Sequence, residues 1–503
     1  YDILGLELDD ESGKNYKIKE SCYSINNDGL ITDYDAETCG PILITPNKVG
    51  DIDVKGFYGG FSSAIASKNV TGLYASGLDD FESIPGGFLA GNSKIKSITL
   101  NNLPKLTTIP GGFMYGNYNI DSFIISNMPN LTSISQGILY FSASQYGKVK
   151  NIELINLPKV TTLDALFAYL DFEKIVIKGL DADEVIISNG SFTNVQGNDA
   201  DLIIENNKGL KFKLSGSGSI SGAFTGGSYK YVSIKNNEKL DALTNGFMSS
   251  NTAFNDAKIY IENNNSLSQI TNGSFTGTLG SLKLISIKNN DNLERISGGA
   301  LYNSTLGFNF NNGSIIVENN DKLETIQDSA FSGLTGTLDK ISISNNKKLK
   351  KFSSNALTGM YNADSAKIKE FIVINNAAFD TIENSSISYL NIDKIMLEKL
   401  PSMTSLARNG AFANLNVGTL DLSGTTITTI EPTIAISSSS IDTLILPPTI
   451  TSMTGGQVAS GVKKELYASG PDKCALNDFF VIKDSSGNIT GYMCNPQILP
   501  KCN

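Results

Sequence analysis

The chain has 503 residues, with 40 Lys and Arg against 50 Asp and Glu, a net charge of −10 at neutral pH, and neither histidine nor tryptophan. Without histidine there can be no Ser-His-Asp or Cys-His catalysis, no histidine metal ligand and no histidine acid or base. The acidic balance, with no basic stripe carrying interleaved aromatics, opposes binding to nucleic acid or anionic membranes.

Residues 1–50 read as an N-terminal cap. Cys22 and Cys39 are the only cysteines before residue 474 and form the natural pair. Asn27-Asp28-Gly29 between strand-like residues is a hairpin signal. Ser24, Asn26, Asp28 and Asp35 loosely resemble a calcium-loop spacing, with Gly29 at the bend. Ser occupies the first position and Asp rather than Glu the last, so a plain hairpin is expected and no metal or cofactor.

Residues 51–470 carry one phrase that returns about every 26 residues: ISIKNNDNLERI at Ile285–Ile296, VSIKNNEKLDAL at Val232–Leu243, ISISNNKKLKKF at Ile341–Phe352. Asn and Gly share tolerance of positive φ, so the column they dominate should turn the chain out of each strand. Its members are Gly56, Gly77, Asn102, Asn127, Asn156, Gly179, Asn206, Asn236, Asn263, Asn289, Asn319, Asn345, Asn375, Lys399, Gly424, Pro448 and Gly470, or about 17 rungs. Before the turn, Ile98/Leu100, Ile259/Ile261 and Leu420/Leu422 alternate as in a half-buried strand. After it, leucines such as Leu106, Leu240 and Leu323 re-enter the core, and Phe88, Phe113, Phe247, Phe275, Phe331 and Phe412 close the far side through an irregular return arm. Only a neighbouring rung can cover such a face, so the reading is a stacked solenoid. A second column, Asn207, Asn237, Asn264, Asn290, Asn320, Asn346 and Asn376, is placed to bridge backbone groups of adjacent rungs.

Two strand columns should point outward. The residue before the turn runs Lys178, Glu205, Lys235, Glu262, Lys288, Glu318, alternating in sign, which stacked strands turn into attraction. Two positions earlier, large and small residues alternate, and rung lengths between Asn206 and Asn375 run 30, 27, 26, 30, 26 and 30, suggesting pairs of rungs. In that column Ile124, Val176, Ile203, Tyr260, Ile316, Ile372 and Ile445 form a candidate interface. The carboxylates Glu205, Glu262, Glu318 and Asp421 are scattered rather than converged, so no catalytic residues are assigned and no enzyme activity is expected. The Gly-rich stretch from Ser215 to Gly222 lacks the Lys-Ser/Thr of a phosphate loop.

Residues 471–503 form a C-terminal cap and tail with Cys474, Cys494 and Cys502. Cys474 can join Cys494 or Cys502, leaving one thiol free or bonded to another chain. A hairpin is expected at Asp484 to Asn488.

The phrase I-x-I-x-x-N-x-x-L-x-x-I resembles a leucine-rich repeat, and the I-x-x-x-A-F of Ile326–Phe331 resembles the BspA-type variety. The phrase I-x-N-N-x-x-L is also similar to the L-domain repeats of receptors and fungal wall proteins. The expected fold is mainly β: a right-handed parallel β solenoid of leucine-rich-repeat type with Cys-stapled ends. The resemblance implies an extracellular, secreted or cell-surface protein used in adhesion, recognition or wall structure, and no reaction. Cysteines confined to the ends fit an oxidising compartment. A start at Tyr1 and the lack of a bilayer-length apolar run fit a processed product without direct membrane insertion. Asn69, Asn130, Asn189, Asn264, Asn272, Asn303, Asn312, Asn384 and Asn488 are candidate glycosylation sites in such a setting. The expected role is a structural subunit of a self-assembling fibre, sheath or array. The alternative is a monomeric adhesin or receptor ectodomain that binds another extracellular protein or a glycan on its concave sheet face.

Overall fold

The computed structural model describes residues 6–8, 16–135, 137–140, 147–163, 166–188, 192–194, 199–213, 223–244, 247–248, 252–271, 273–275, 279–302, 308–353, 355–361, 365–383, 385–406, 412, 414–430, 440–447, 449, 452–453, 462–468, 473–474, 479–483 and 489–494. The chain divides into two compact units, Tyr1–Leu240 with Ser250–Thr252, and Asp241–Ser249 with Ala253–Asn503. Among the described residues the only α-helices are Ala36–Cys39 and Phe61–Ala66.

In the first unit a parallel sheet stacks Ile42–Ile44, Gly72–Ser76, Ser97–Asn101, Asn119–Ser126, Gly147–Ile155, Phe167–Lys178, Ala200–Glu205 and Ser228–Lys235 in chain order. The second unit repeats the arrangement with Ala253–Glu262, Leu279–Lys288, Phe308–Glu318, Phe331–Ser344, Lys367–Ile374, Leu390–Glu398, Leu415–Gly424, Ser440–Leu446 and Val462–Ala468. This is the expected parallel β solenoid, and each rung hands its backbone hydrogen bonds to the next.

The turning column is left-handed from Gly77 to Lys399, with φ between 49° and 68° at seven residues of the first unit and six of the second. The fold thus has about 13 turns built on this device rather than about 17. Gly56 was misplaced in the column: its φ is 159°, it opens the strand Gly56–Phe57, and that strand pairs with Leu30–Tyr34 of the N-terminal region. The sheet begins instead at Ile42–Ile44. Gly424 lies inside its strand without positive φ, and Pro448 and Gly470 fall outside the described residues. Where the column holds, the turn's N–H finds an acceptor on the following rung, as Asn102 does at Ser126 O (3.1 Å) and Asn289 at Glu318 O (3.1 Å). Gly179 is required twice over, because its φ is 68° and a Cβ would stand 2.5 Å from Asn156 Oδ1.

The core is built from the predicted columns. Leu106, Leu131 and Leu240 in the first unit and Leu267, Leu293, Leu323 and Leu349 in the second are fully buried. The far-side phenylalanines are buried too, and Phe57, Phe88 and Phe113 stack with centroids 4.5 and 5.5 Å apart. The return arm is more regular than expected. In the second unit Ala242–Leu243, Gln269–Ile270, Arg295–Ile296, Thr325–Ile326, Lys351–Phe352 and Thr381–Ile382 pair as a narrow parallel sheet whose second residue is always buried. Two residues are too few to show a period of two in sequence.

The second asparagine column is wholly buried. In the second unit the amide of Asn290 donates to Asn320 Oδ1 (3.2 Å) and Ile261 O (2.9 Å), Asn320 to Asn346 Oδ1 (3.2 Å), and Asn346 to Asn376 Oδ1 (3.2 Å). Asn207 and Asn237 make the same link in the first unit at 2.8 Å. Each side chain replaces water for backbone groups that the turn leaves without a ladder partner.

Cys22 and Cys39 are bonded. Tyr23–Ile25 and Leu30–Tyr34 form the expected antiparallel hairpin, and Asn26 Oδ1 accepts from the N–H groups of Asp28 (3.1 Å) and Leu30 (2.9 Å). Asp35 caps the helix Ala36–Cys39 by accepting from Glu37 and Thr38 N–H, so these residues make a turn and a cap. The Tyr34 hydroxyl lies 3.0 Å from Ile42 O, and Tyr23 donates to Ile44 O, which pins the cap to the first strand of the sheet. Burial, reinforced by Asp35, pushes the Tyr34 phenol up to about 12. At the other end Phe479–Lys483 pairs antiparallel with Ile489–Cys494, as a hairpin through 484–488 requires. Residues 484–488 themselves lie outside the described residues, as does Ser215 to Gly222.

Candidate functional site

The outward face of the parallel sheet carries the residues singled out from sequence, and strand register aligns them. In the first unit one column reads Ile44, Tyr74, Thr99, Ile124, Glu153, Val176, Ile203, Ser233. In the second it reads Tyr260, Ser286, Ile316, Ser342, Ile372, Met396, Asp421, Ile445. Val176 and Ile372 are buried, while Ile124, Ile203, Tyr260, Ile316 and Ile445 are half-buried. The apolar members therefore form short runs broken by Glu153, Ser233, Ser286, Ser342 and Asp421. Val176 with Ile203 is one contiguous pair, and Ile372 with Met396 another; Met396 escaped the sequence reading.

Beside this column the charges pair as expected. Lys178 and Glu205 are 3.1 Å apart and Lys288 and Glu318 3.0 Å. Ser233 donates to Glu205 (2.5 Å) and Ser286 to Glu262 (2.6 Å), so the small residues of one column fasten the carboxylates of the next. Asp421 is held by Ser423 (2.6 Å) and Lys394 (3.6 Å). Each of these acids is matched to a local partner, and among the described residues no group of three potential metal ligands converges.

The glycosylation candidates separate by environment. Asn69 and Asn312 are exposed. Asn130 is half-buried, its amide donating to Pro104 O (2.8 Å) and its Oδ1 accepting from Lys159 (2.6 Å). Asn264 is completely buried and its amide donates to Asn290 Oδ1 (3.3 Å), which leaves no space for a glycan. Asn189, Asn272, Asn303, Asn384 and Asn488 fall outside the described residues. Cys474 and Cys494 lie in strands Lys473–Cys474 and Ile489–Cys494; their side chains and all of Cys502 are likewise outside.

One concavity in the first unit was not signalled by the sequence. A cleft of about 200 Å³ opens where the strands Asn119–Ser126, Gly147–Ile155 and Phe167–Lys178 begin, with Asn119, Lys148 and Asp171 aligned across them. Val149 and Phe172 are buried beneath it. Lys150 pairs with Asp121 at 2.8 Å. Asp171 is 7% exposed as a residue and, among the described residues, its carboxylate makes neither hydrogen bond nor ion pair. Burial pushes its carboxyl above the ordinary value, Lys148 pulls it down and Glu173 adds to the rise. Nothing in the stretch Asp171-Phe172-Glu173 marks the first acid as the buried one, because that depends on neighbouring strands.

No helix among the described residues is long and apolar enough to cross a membrane. No curated protein and no solved structure matches the chain. The family model described as BspA type leucine rich repeat region matches in 6 copies over residues 75–197 and 308–396. Over those two stretches the chain is similar to BspA-type leucine-rich repeats, and its stacked strands and left-handed asparagine column are consistent with a solenoid of leucine-rich-repeat type.

Proposed function

We propose that this chain is a non-enzymatic, extracellular surface protein that works by contact, and that it self-associates into an array through the outward sheet face of its solenoid. The observation that carries the reading is the column of Tyr260, Ile316, Met396 and Ile445, half-buried around a buried Ile372, which keeps large apolar side chains partly open to solvent while flanking rows are satisfied by ion pairs and Ser–Glu hydrogen bonds. Apolar groups on such a row gain by meeting another surface. Repeats of this type are typically surface-associated and mediate protein contacts. The local pairing of Glu205, Glu318 and Asp421 with lysines supports the absence of acid/base chemistry.

Sedimentation velocity over a wide concentration range tests the association. Ile316→Lys with Met396→Lys, both at half-buried positions, should reduce the associated fraction at least about tenfold, the equivalent of one lost apolar anchor, while the melting transition stays in place. An associated fraction that the double variant leaves untouched would count against this face. The adhesin reading is favoured by the cleft at Asp171, which has the form of a ligand site rather than of a packing surface.

A further inference from the structure

We infer that the cleft at the starts of the strands Asn119–Ser126, Gly147–Ile155 and Phe167–Lys178 is a binding site for a neutral saccharide unit, held by Asp171 and Lys148. Asp171 is the reason to look here. Asp171 as a residue is more than nine-tenths buried and its carboxylate has no hydrogen-bond partner in the protein, so its oxygens are reached through the cleft they line, where a ligand's donors fit. Its two oxygens accept hydrogen bonds and cannot donate, so the missing partner must supply donors.

Charge decides which donors. Lys148 and Lys150 face Asp171 and Glu173 around the opening. A cationic ligand drawn to Asp171 would meet two ammonium groups, and an anionic one would meet two carboxylates. A neutral ligand whose adjacent hydroxyls each donate and accept satisfies both sets, with hydroxyl protons on Asp171 and hydroxyl oxygens toward Lys148 and Asn119. Lys148 is exposed and forms no ion pair with Asp171, so its ammonium is available for this. The volume of about 200 Å³ is below that of a pocket for a drug-sized ligand and suits one sugar ring. Val149 and Phe172 point into the core beneath the cleft and hold its floor in place.

The site is independent of self-association, since it lies at the strand starts and not in the Ile316 column. Saturation-transfer NMR with methyl glycosides of glucose, galactose, mannose and N-acetylglucosamine at millimolar concentration tests it on the intact chain. At least one should show transfer, weakened about tenfold in Asp171→Asn and in Lys148→Ala and unchanged in Lys322→Ala. Asp171→Asn should also melt at the same or a higher temperature than the parent, because a neutral amide is cheaper to bury than an unpartnered carboxylate. No transfer from any of the four, transfer that survives in Asp171→Asn, or a lower melting temperature for that variant would each overturn the inference. None of these outcomes bears on the mass of the particle, which is the readout for self-association.

Discussion

Lys399 holds the left-handed position of its turn with φ 52°, where the other twelve turns of the column place Asn or Gly. A lysine Cβ crowds the following carbonyl in this conformation, while Asn tolerates it through its short polar side chain. The Lys399 ammonium lies 3.6 Å from Glu398 in an exposed pair, which contributes little. Lys399→Asn should therefore stabilise the protein by about 1 kcal/mol in chemical denaturation; an unchanged or lower midpoint would mean the turn is not strained. That the left-handed column could be read from sequence at all follows from its chemistry, since Asn and Gly are the residues that adopt this backbone at least cost. Asp171 could not be read in this way, because burial of one acid out of many is decided by what the next strand brings against it. Gly56 failed for a related reason: the residue type fits a turn, but its near-extended φ belongs to a strand of the cap.

At the scale of elements the buried asparagine ladder does what neither propensity nor apolar burial can. Asn320 donates to Ile287 O (3.0 Å) and Asn346 Oδ1 and accepts from the backbone N–H of Asn290 (3.1 Å), all out of water. Asn320→Ala leaves several buried groups without partners and should cost about 3 kcal/mol or more. Asn319→Gly, one residue away, keeps the left-handed turn and loses an exposed amide bond to Asn289 (3.2 Å), so it should cost less than about 1 kcal/mol. Equal losses in thermal or denaturant unfolding would contradict the ladder's role. A period of two rungs, suggested by alternating rung lengths, has one structural counterpart. Asp256 and Asn312, 56 residues apart by their numbers, are left-handed bulge residues with φ 45° and 46°. Their N–H groups donate to Ser281 Oγ (3.0 Å) and Thr337 Oγ1 (2.9 Å) of the next rung. Such bulges take up an extra residue within their own strand. The narrow second sheet was hidden, because its strands are shorter than any pattern that identifies a strand.

At the scale of the whole molecule, the account rests on contact through the outward sheet face. The solenoid satisfies its own backbone rung by rung, so any contact through the proposed face falls to the row of side chains that the stacking turns outward. Ser342 sits in that row between Ile316 and Ile372, its hydroxyl makes no hydrogen bond among the described residues, and it lies far in sequence from the five native cysteines. Oxidative cross-linking of Ser342→Cys, compared with Lys322→Cys on an exposed turn, asks directly whether two copies place this row face to face. The account predicts rapid, high-yield formation of a disulfide-linked species of two 53.8 kDa chains with Ser342→Cys and not with Lys322→Cys. Equal, low yields from both variants at concentrations where the protein is associated would contradict it.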